Sequence, residues 1–502
     1  MRQRENQNII RTEKLIIWGW LVIIIYILIR NFFSVPFMLG DEGRDLLVSR
    51  IINEENVNLN VGHFMMGLRF RYPPNYFNLL AFTGKVVGNG VPILKVWGAL
   101  CFLSFVLSLW WLKKISKLDF SVWLFTLSIV MVSMVNFAGV QSLKVAWTFY
   151  NVGFMLIQMA IFNRGKTYKK YLMLFFSSLA IAFSCSIHMS FVTLLPVTLL
   201  LIYIRVKKSD FWWFLLGLIL FEYLFYYKLI NYFGDYILFK EATLNNVNVS
   251  VLINSATNIG KTFGYVWLAF VRFWGDSILA MLMMAITILS GSWYALFLIL
   301  QMLSMIIIFS LFPHFISQEY YYYYPIAYFL AIFSIIDIKP RFRWGLRFCS
   351  LLFVALVFIE MVLGNKSQQI LFLERSTYYD FSRIALYINN NYSNLPVIMI
   401  NADNFCSIYG SKDLWQFLYD KNIYTLGDKY PEVWFRDDSK NFLLVCTEYI
   451  DKYTGNCQEY LKKFQLIPDS TMSVANKKVY FSLSNISIDS FLKADNTCLN
   501  RR

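Results

Sequence analysis

The chain has 502 residues, of which 58% are hydrophobic, 19% aromatic and only 15% charged, and its mean hydropathy is +0.50. That composition excludes an ordinary soluble enzyme and describes an integral membrane protein. The formal charge of +15 asks for no nucleic acid, because the basic residues gather in clusters beside apolar runs, where membrane topology accounts for them.

Apolar runs of roughly 17 to 25 residues, long enough for a hydrocarbon core of ~30 Å, recur from residue 15 to residue 363 and then stop. Basic clusters stand at Arg2, Arg4, Arg11 and Lys14; at Lys113, Lys114 and Lys117; at Arg164, Lys166, Lys169 and Lys170; at Arg205, Lys207 and Lys208; and at Lys339, Arg341, Arg343 and Arg347. Placing all five clusters on the cytoplasmic side predicts eleven spans near Leu15–Phe33, Pro92–Leu112, Phe120–Phe137, Ala146–Phe162, Tyr171–Ile187, Met189–Ile204, Phe211–Ile230, Ser277–Leu289, Trp293–Phe312, Tyr324–Ile336 and Leu346–Leu363. The first of these lacks a small-residue cleavage site and is expected to stay as an anchor. An odd number of spans puts the N-terminus inside and the chain after residue 363 outside. Asn75–Val87 is apolar but short, carries Lys85 and is followed by Gly88-Asn89-Gly90-Val91-Pro92, so it reads as a helix lying in the outer interface. Lys261–Trp274 is aromatic and amphipathic, either interfacial or part of the eighth span.

Residues 364–502 are mixed polar and apolar and read as one α/β domain. Helical patterns lie near Leu373–Asn390, Leu414–Lys421 and Cys457–Phe464, and strands near Val397–Ile400, Phe442–Cys446 and Lys477–Leu483. Cys101, Cys185 and Cys349 fall in spans, whereas Cys406, Cys446, Cys457 and Cys498 fall in this domain, where disulfides are permitted and three full pairings are open.

With this topology the polar residues that are costly near a membrane sort to one face. Gly40-Asp41-Glu42-Gly43 puts two carboxylates just beyond the first span, either a solvated loop pair or a pair kept for chemistry. Arg44, Asp45, His63, Arg69, Arg71, the loop Gln141–Trp147 with Lys144, His188, and the stretch Pro313–Glu319 with His314 lie on the same outer side, so all three histidines do. Together they suggest a polar cavity opening outward. Tyr72, Tyr76, Phe77, Trp97, Trp147 and the run Tyr320–Tyr324 form an aromatic rim that suits a sugar ring or a prenyl chain, or an ordinary interfacial belt.

The segments GDEGRDLLVSRII from Gly40 and RYPPNYFNLLAFTGKVVGNGVPILKVWGAL from Arg71 resemble the first extracytoplasmic loop of the polyprenol-phosphate-sugar-dependent glycosyltransferases of the C superfamily, the group of family 39, which includes protein O-mannosyltransferases and lipid A aminoarabinose transferases. The matching features are the acid pair Asp41-Glu42 and the dipeptide Pro73-Pro74, with looser matches at Trp147–Asn151, Ser186-Ile187-His188 and Glu319–Pro325. The resemblance implies the GT-C fold: a transmembrane domain over residues 1–363, whose first outer loop at 34–91 carries the active-site acids, and an extracytoplasmic domain over 364–502. It implies inverting transfer of one sugar from a polyprenyl phosphate to an acceptor outside the membrane. Asp41 would be the general base, and Glu42 would orient the acceptor, support Asp41 or bind a divalent metal. Arg69, Arg71, Lys85 and Lys144 would absorb the charge of the leaving phosphate, each being otherwise a headgroup anchor. Arg44, Tyr72, His188, His314, Glu319 and Tyr320 would bind substrate, Arg44 otherwise holding Asp41 or Asp45. Several members of the group carry a second acid after the third span, but Ala138–Lys144 has none.

The expected partners are a polyprenyl-phosphate-linked sugar, a glycan, lipid or protein acceptor, and membrane lipids, in a prokaryotic inner membrane. No Walker loop, HExxH, paired CxxC or Asp-x-Asp signature is present, and the missing Asp-x-Asp favours a lipid-linked donor over a nucleotide sugar. The alternatives are a transporter or flippase, whose mark would be charges at mid-span, and an O-antigen-type polymerase or ligase.

Overall fold

The computed structural model describes residues 2–33, 45, 46, 49, 50, 52–54, 75–116, 119–135, 141–162, 167–232, 304, 343–363, 375–393, 395–401, 423–425, 441–449, 457–474 and 477–485. The chain divides into two compact units. One comprises Met1–Val35, Asn60–Pro73 and Val96–Leu371; the other comprises Pro36–Leu59, Pro74–Lys95 and Phe372–Arg502.

In the first unit the described helices are α1 (Arg2–Phe33), the greater part of α3 (Val91–Ser116), α4 (Phe120–Val135), α5 (Gln141–Phe162), α6 (Thr167–Ile187), a 3₁₀ turn (Met189–Leu194), α7 (Leu195–Arg205), α8 (Lys208–Tyr232) and α9 (Arg343–Leu363). The helix α2 (Asn75–Val87) belongs to the second unit. Among the described residues, Pro92–Lys114, Ser142–Phe162 and Tyr168–Ile187 are long and apolar enough to cross a membrane, and Phe191–Arg205 is a shorter apolar helix. The predicted spans at 277–289, 293–312 and 324–336, and the segment 261–274, lie outside the described residues.

Two expectations change. Gln141–Trp147 is the start of α5 and not a loop, because the breaker Gly139 precedes it and Leu143, Val145, Ala146 and Trp147 give it a face to bury. The predicted sixth span is broken into the 3₁₀ turn and the eleven-residue α7. Pro196 explains the break: it has no N–H to donate and suits the first turn of a helix, so the α-helix starts afresh at Leu195.

Polar ties fix which helix ends meet. Arg347 at the start of α9 donates from Nε to Glu13 Oε1 of α1 at 3.0 Å, and Ser121 at the start of α4 donates to the same oxygen at 3.1 Å. Arg343 lies 2.8 Å from Asp119 Oδ2, and the Lys113 ammonium at the end of α3 stands 4.3 Å from the Phe120 ring centre and 4.5 Å from that of Trp123. On the neighbouring helices Lys170 and the buried Asp210 pair at 2.7 Å where α6 and α8 begin. Asn151 of α5 donates to Ser104 Oγ of α3, and Ser184 donates to the Ala146 carbonyl while Gly153 packs against Ser177 and Ile181, so α6 runs antiparallel to α5. The basic ends of α1, α3, α4 and α9 therefore meet, as do those of α6 and α8.

In lipid, helices gain little from burying apolar faces and pack through close backbone approach. At Gly217 of α8 a Cβ would sit against Ser178 Oγ and 2.8 Å from the Phe175 carbonyl oxygen of α6. Trp20 of α1 donates to Ser128 Oγ of α4 at 3.0 Å, satisfying an indole N–H that lipid could not.

In the second unit, α10 (Arg375–Asn391) and α11 (Cys457–Lys463) flank a five-stranded sheet of β1 (Val397–Asn401), β2 (Ile423–Thr425), β3 (Phe442–Tyr449), β4 (Ser470–Val474) and β5 (Lys477–Ser484), in the order β2-β1-β3-β5-β4. β1 pairs parallel with β2 and β3, and β5 antiparallel with β3 and β4. Alternation along β3 sorts the core: Leu443 and Val445 pack with Ile384 and Ile388 of α10, while Leu444 and Cys446 face Tyr460 and Leu461 of α11. Cys446 and Cys457 form a disulfide, whereas Cys101, Cys185 and Cys349 remain thiols in helices. Cys406 and Cys498 lie outside the described residues, as does the helix expected at 414–421.

Two substitutions test this packing. Glu13→Ala strands the largely buried Arg347 guanidinium and should lower stability by about 1–3 kcal/mol. Gly217→Ala drives a methyl into α6, with a similar loss from overpacking of about 1–3 kcal/mol. Both are read as a lower thermal midpoint of the detergent-solubilised protein, and an unchanged midpoint contradicts the corresponding contact.

Candidate active site

The described residues of the first predicted loop are held by α2. Pro73-Pro74 precede the helix, and its buried face is Tyr76, Phe77, Leu80, Ala81, Thr83 and Gly84, leaving Lys85 exposed in the last turn. Opposite it, residues 45, 46, 49, 50 and 52–54 are helical. Asp45 is only 3% exposed, and the Tyr76 hydroxyl donates to its Oδ2 at 2.8 Å. Further along, the Asn53 amide donates to the Ala81 carbonyl and to Asn89 Oδ1, both at 2.9 Å. Gly84 permits this approach, since a Cβ there would come within 2.6 Å of Asn89 Oδ1 and 2.9 Å of Asn53 Nδ2. Gly88, at φ 90°, ends the helix.

In the first unit, two motifs distant in sequence converge. His188 is buried in an extended conformation between α6 and the 3₁₀ turn, and its ring lies 6.4 Å from Phe191. Phe191 in turn lies 5.0 Å edge-on to Trp147, which packs 5.5 Å from Tyr150 and 5.2 Å from Phe105. Tyr150 shares a 2.7 Å hydrogen bond with Thr198 of α7. The half-buried Lys144 lies one turn before Trp147 on α5, beside Cys101 of α3. The Trp147–Asn151 and His188 motifs thus meet through Phe191. Burial pushes the His188 imidazole down to about 3, so it is neutral at physiological pH and offers hydrogen bonding rather than charge.

Of the twelve residues singled out from the sequence, Lys85, Lys144 and His188 are described; Asp41, Glu42, Arg44, Arg69, Arg71, Tyr72, His314, Glu319 and Tyr320 lie outside the described residues. The aromatic rim is corrected in part: Tyr76, Phe77, Trp97 and Trp147 are all buried within the protein. Their rings find aromatic partners such as the Trp97–Phe149 pair at 5.9 Å, so they pack a core rather than wait for a ligand. Asp45 is a feature the sequence reading did not weigh as a site residue. Among the described residues no three His, Cys, Asp or Glu side chains come together to hold a metal, and Glu42 is not among those residues.

The buried imidazole makes stability depend on pH with a definite sign. Its ordinary value is 6.5 and its folded value about 3, so the unfolded chain binds the extra proton between those limits and stability falls as pH drops through that window. From pH 7 to pH 5 the loss should be about 2 kcal/mol, seen as a falling thermal midpoint. His188→Gln should flatten that dependence; an equal slope in the variant would assign it elsewhere.

No protein-family model and no curated protein matches the sequence. Two solved structures do share its fold. The crystal structure of ArnT from Cupriavidus metallidurans in the apo state superposes with a TM-score of 0.56 at 12% identity, covering 92% of this chain and 98% of ArnT. The structure of the same protein bound to undecaprenyl phosphate gives 0.54 at 13% identity, with the same coverage. The chain therefore shares the fold of ArnT over 92% of its length.

Proposed function

We propose that the chain is an inverting glycosyltransferase that moves a sugar from a polyprenyl-phosphate carrier to an acceptor hydroxyl or amine at the outer face of a prokaryotic inner membrane. The observation that carries this is the fold: it matches ArnT across 92% of this chain, and ArnT has been crystallised with undecaprenyl phosphate bound. The acid pair of the first loop and the Pro-Pro dipeptide that opens α2 support it from the sequence side.

In this reaction Asp41 takes the proton from the acceptor as its oxygen or nitrogen attacks the anomeric carbon, and the bond from that carbon to the phosphate oxygen breaks on the opposite face. The electron pair leaves with the polyprenyl phosphate. Arg69, Arg71, Lys85 and Lys144 are the cations assigned to that developing charge. Glu42 orients the acceptor or supports Asp41, or holds a divalent metal that would add to the positive field. Arg44, Tyr72, His188, His314, Glu319 and Tyr320 contact substrate, His188 as a neutral donor or acceptor. Residues 1–363 are assigned to the membrane domain and residues 364–502 to an extracytoplasmic α/β domain.

The test is transfer of label from a panel of radiolabelled polyprenyl-phosphate sugars to host membranes, with wild type beside Asp41→Asn. Transfer from one donor that falls at least about a hundredfold in the variant, with an unchanged melting profile, is the expected result. Full activity of Asp41→Asn removes the assignment of the base. No transfer by folded wild type from any donor favours a carrier that moves the intact lipid.

A further inference from the structure

Where α3, α4 and α9 meet, the described carboxylates are engaged and two ammonium groups are left over. Asp119 accepts from the Ser121 amide through Oδ1 at 3.0 Å and pairs with Arg343 Nη1 through Oδ2 at 2.8 Å. Glu13 is taken by Arg347 and Ser121. Lys113 and Lys114 lie in the last turn of α3, and among the described residues neither has a carboxylate within 4.0 Å. Rings hold them instead: Lys113 Nζ stands over Phe120 and Trp123, and Lys114 Nζ lies 5.3 Å from the ring centres of Trp110 and Trp111. Trp123 is itself fixed, since its indole N–H donates to the Leu109 carbonyl at 3.0 Å and its ring stacks on that of Phe120. A ring face steadies an ammonium without neutralising it, and it engages only one side of a group that carries three N–H donors.

We propose that this junction seats the phosphate of an anionic phospholipid, with Lys113 and Lys114 as its ammonium partners. Both lysines lie at the end of Pro92–Lys114, a helix long and apolar enough to cross a membrane, so their stems run along hydrocarbon and their charges reach headgroup depth. The anion met at that depth is a phosphate that carries its own acyl chains. Trp110 of α3 and Trp344 and Phe348 of α9 are exposed, the last two with parallel rings, and aromatic surface of this kind belongs at the level of headgroup and glycerol. It suits a lipid better than a free phosphate. Arg343, which meets Asp119 through one nitrogen, adds to the positive field at the rim. The charge pattern expects these ends on the cytoplasmic side, where anionic lipids give the leaflet its negative surface. The site does not rest on the transferase reading, since it uses none of the residues assigned to that reaction.

The experiment titrates the full-length protein in detergent with phosphatidylglycerol or phosphatidylcholine and counts bound lipid by native mass spectrometry. One ammonium at a membrane surface is worth roughly fivefold in affinity for an anionic lipid, so wild type should hold phosphatidylglycerol about 25-fold more tightly than phosphatidylcholine. Lys113→Gln/Lys114→Gln should lose that preference, whereas Lys113→Arg/Lys114→Arg, which keeps charge and ring contact, should stay within about threefold of wild type. Lys114→Gln alone removes an exposed side chain and should cost about fivefold, which keeps the test open if the double variant fails to fold. Lys169→Gln/Lys208→Gln removes two exposed charges where α6 and α8 begin and should leave the preference within about twofold. An equal loss in that pair overturns the site by showing a diffuse field. Equal retention of both lipids by wild type, or an unchanged preference in Lys114→Gln, overturns it as well. Displacement of phosphatidylglycerol by equimolar glycerol 3-phosphate overturns the lipid as occupant and leaves a site for a soluble phosphate. Sugar transfer is not the readout, so none of these outcomes depends on the proposed reaction.

Discussion

One carboxylate on the first helix determines how the membrane unit is assembled. Glu13 accepts from Arg347 of α9 and from Ser121 of α4, so a single oxygen joins segments 334 residues apart to the start of a third helix. Both ion-pair partners are largely shielded, at 14% and 18% side-chain exposure, and there a charge without its counterpart is expensive. Helices immersed in lipid have no hydrophobic incentive to choose one neighbour over another. Specificity falls to polar ties of this kind and to close-approach points such as Gly217. The Lys170–Asp210 pair does for α6 and α8 what Glu13 does for α1, α4 and α9. Residues of the basic clusters, Arg343, Arg347 and Lys170, thereby select the helix ends that meet.

The sheet of the second unit follows soluble-protein rules instead. Its two cores come from strict alternation along β3, one face toward α10 and the other toward α11. Glu448 on β3 accepts from the Tyr480 hydroxyl at 2.6 Å and from the Cys457 amide at 2.8 Å, and the Cys446–Cys457 disulfide closes the same corner. Carboxylate and disulfide together fix the start of α11, a helix of only seven residues that could not hold its place by propensity.

Much of this was legible in the sequence because hydropathy reports helices in lipid directly. The spans near Pro92–Leu112 and Tyr171–Ile187 lie inside α3 and α6, and the apolar alternation at 442–446 and 477–483 marks β3 and β5. What was missed has physical causes. β4 is an edge strand, Ser470–Val474, with too little apolar alternation to announce itself. The early start of α5 was hidden because Gln141, Ser142 and Lys144 are polar, whereas a helix emerging from lipid can continue in water. The aromatic residues were the hardest to assign. Tyr76 and Trp147 have the composition of an interfacial belt, and in an apolar solvent a residue facing lipid and one facing the core read alike. Only packing separates them, and it puts both inside.

The electrostatics of the described residues narrow how the proposed chemistry divides its labour. His188 lies deep enough for burial to hold its imidazole at about 3, so protonating it at neutral pH would cost several powers of ten. It therefore cannot answer the negative charge that builds on a departing phosphate. In the proposed reaction that task falls to guanidinium and ammonium groups, among which Lys85 is exposed and Lys144 half-buried. The neutral imidazole suits the opposite end of the reaction, where sugar and acceptor hydroxyls need a partner that donates or accepts without attracting the base. Charge for the leaving group and neutral hydrogen bonding for the sugar are separate demands, and in the reaction proposed here they fall on different residue types.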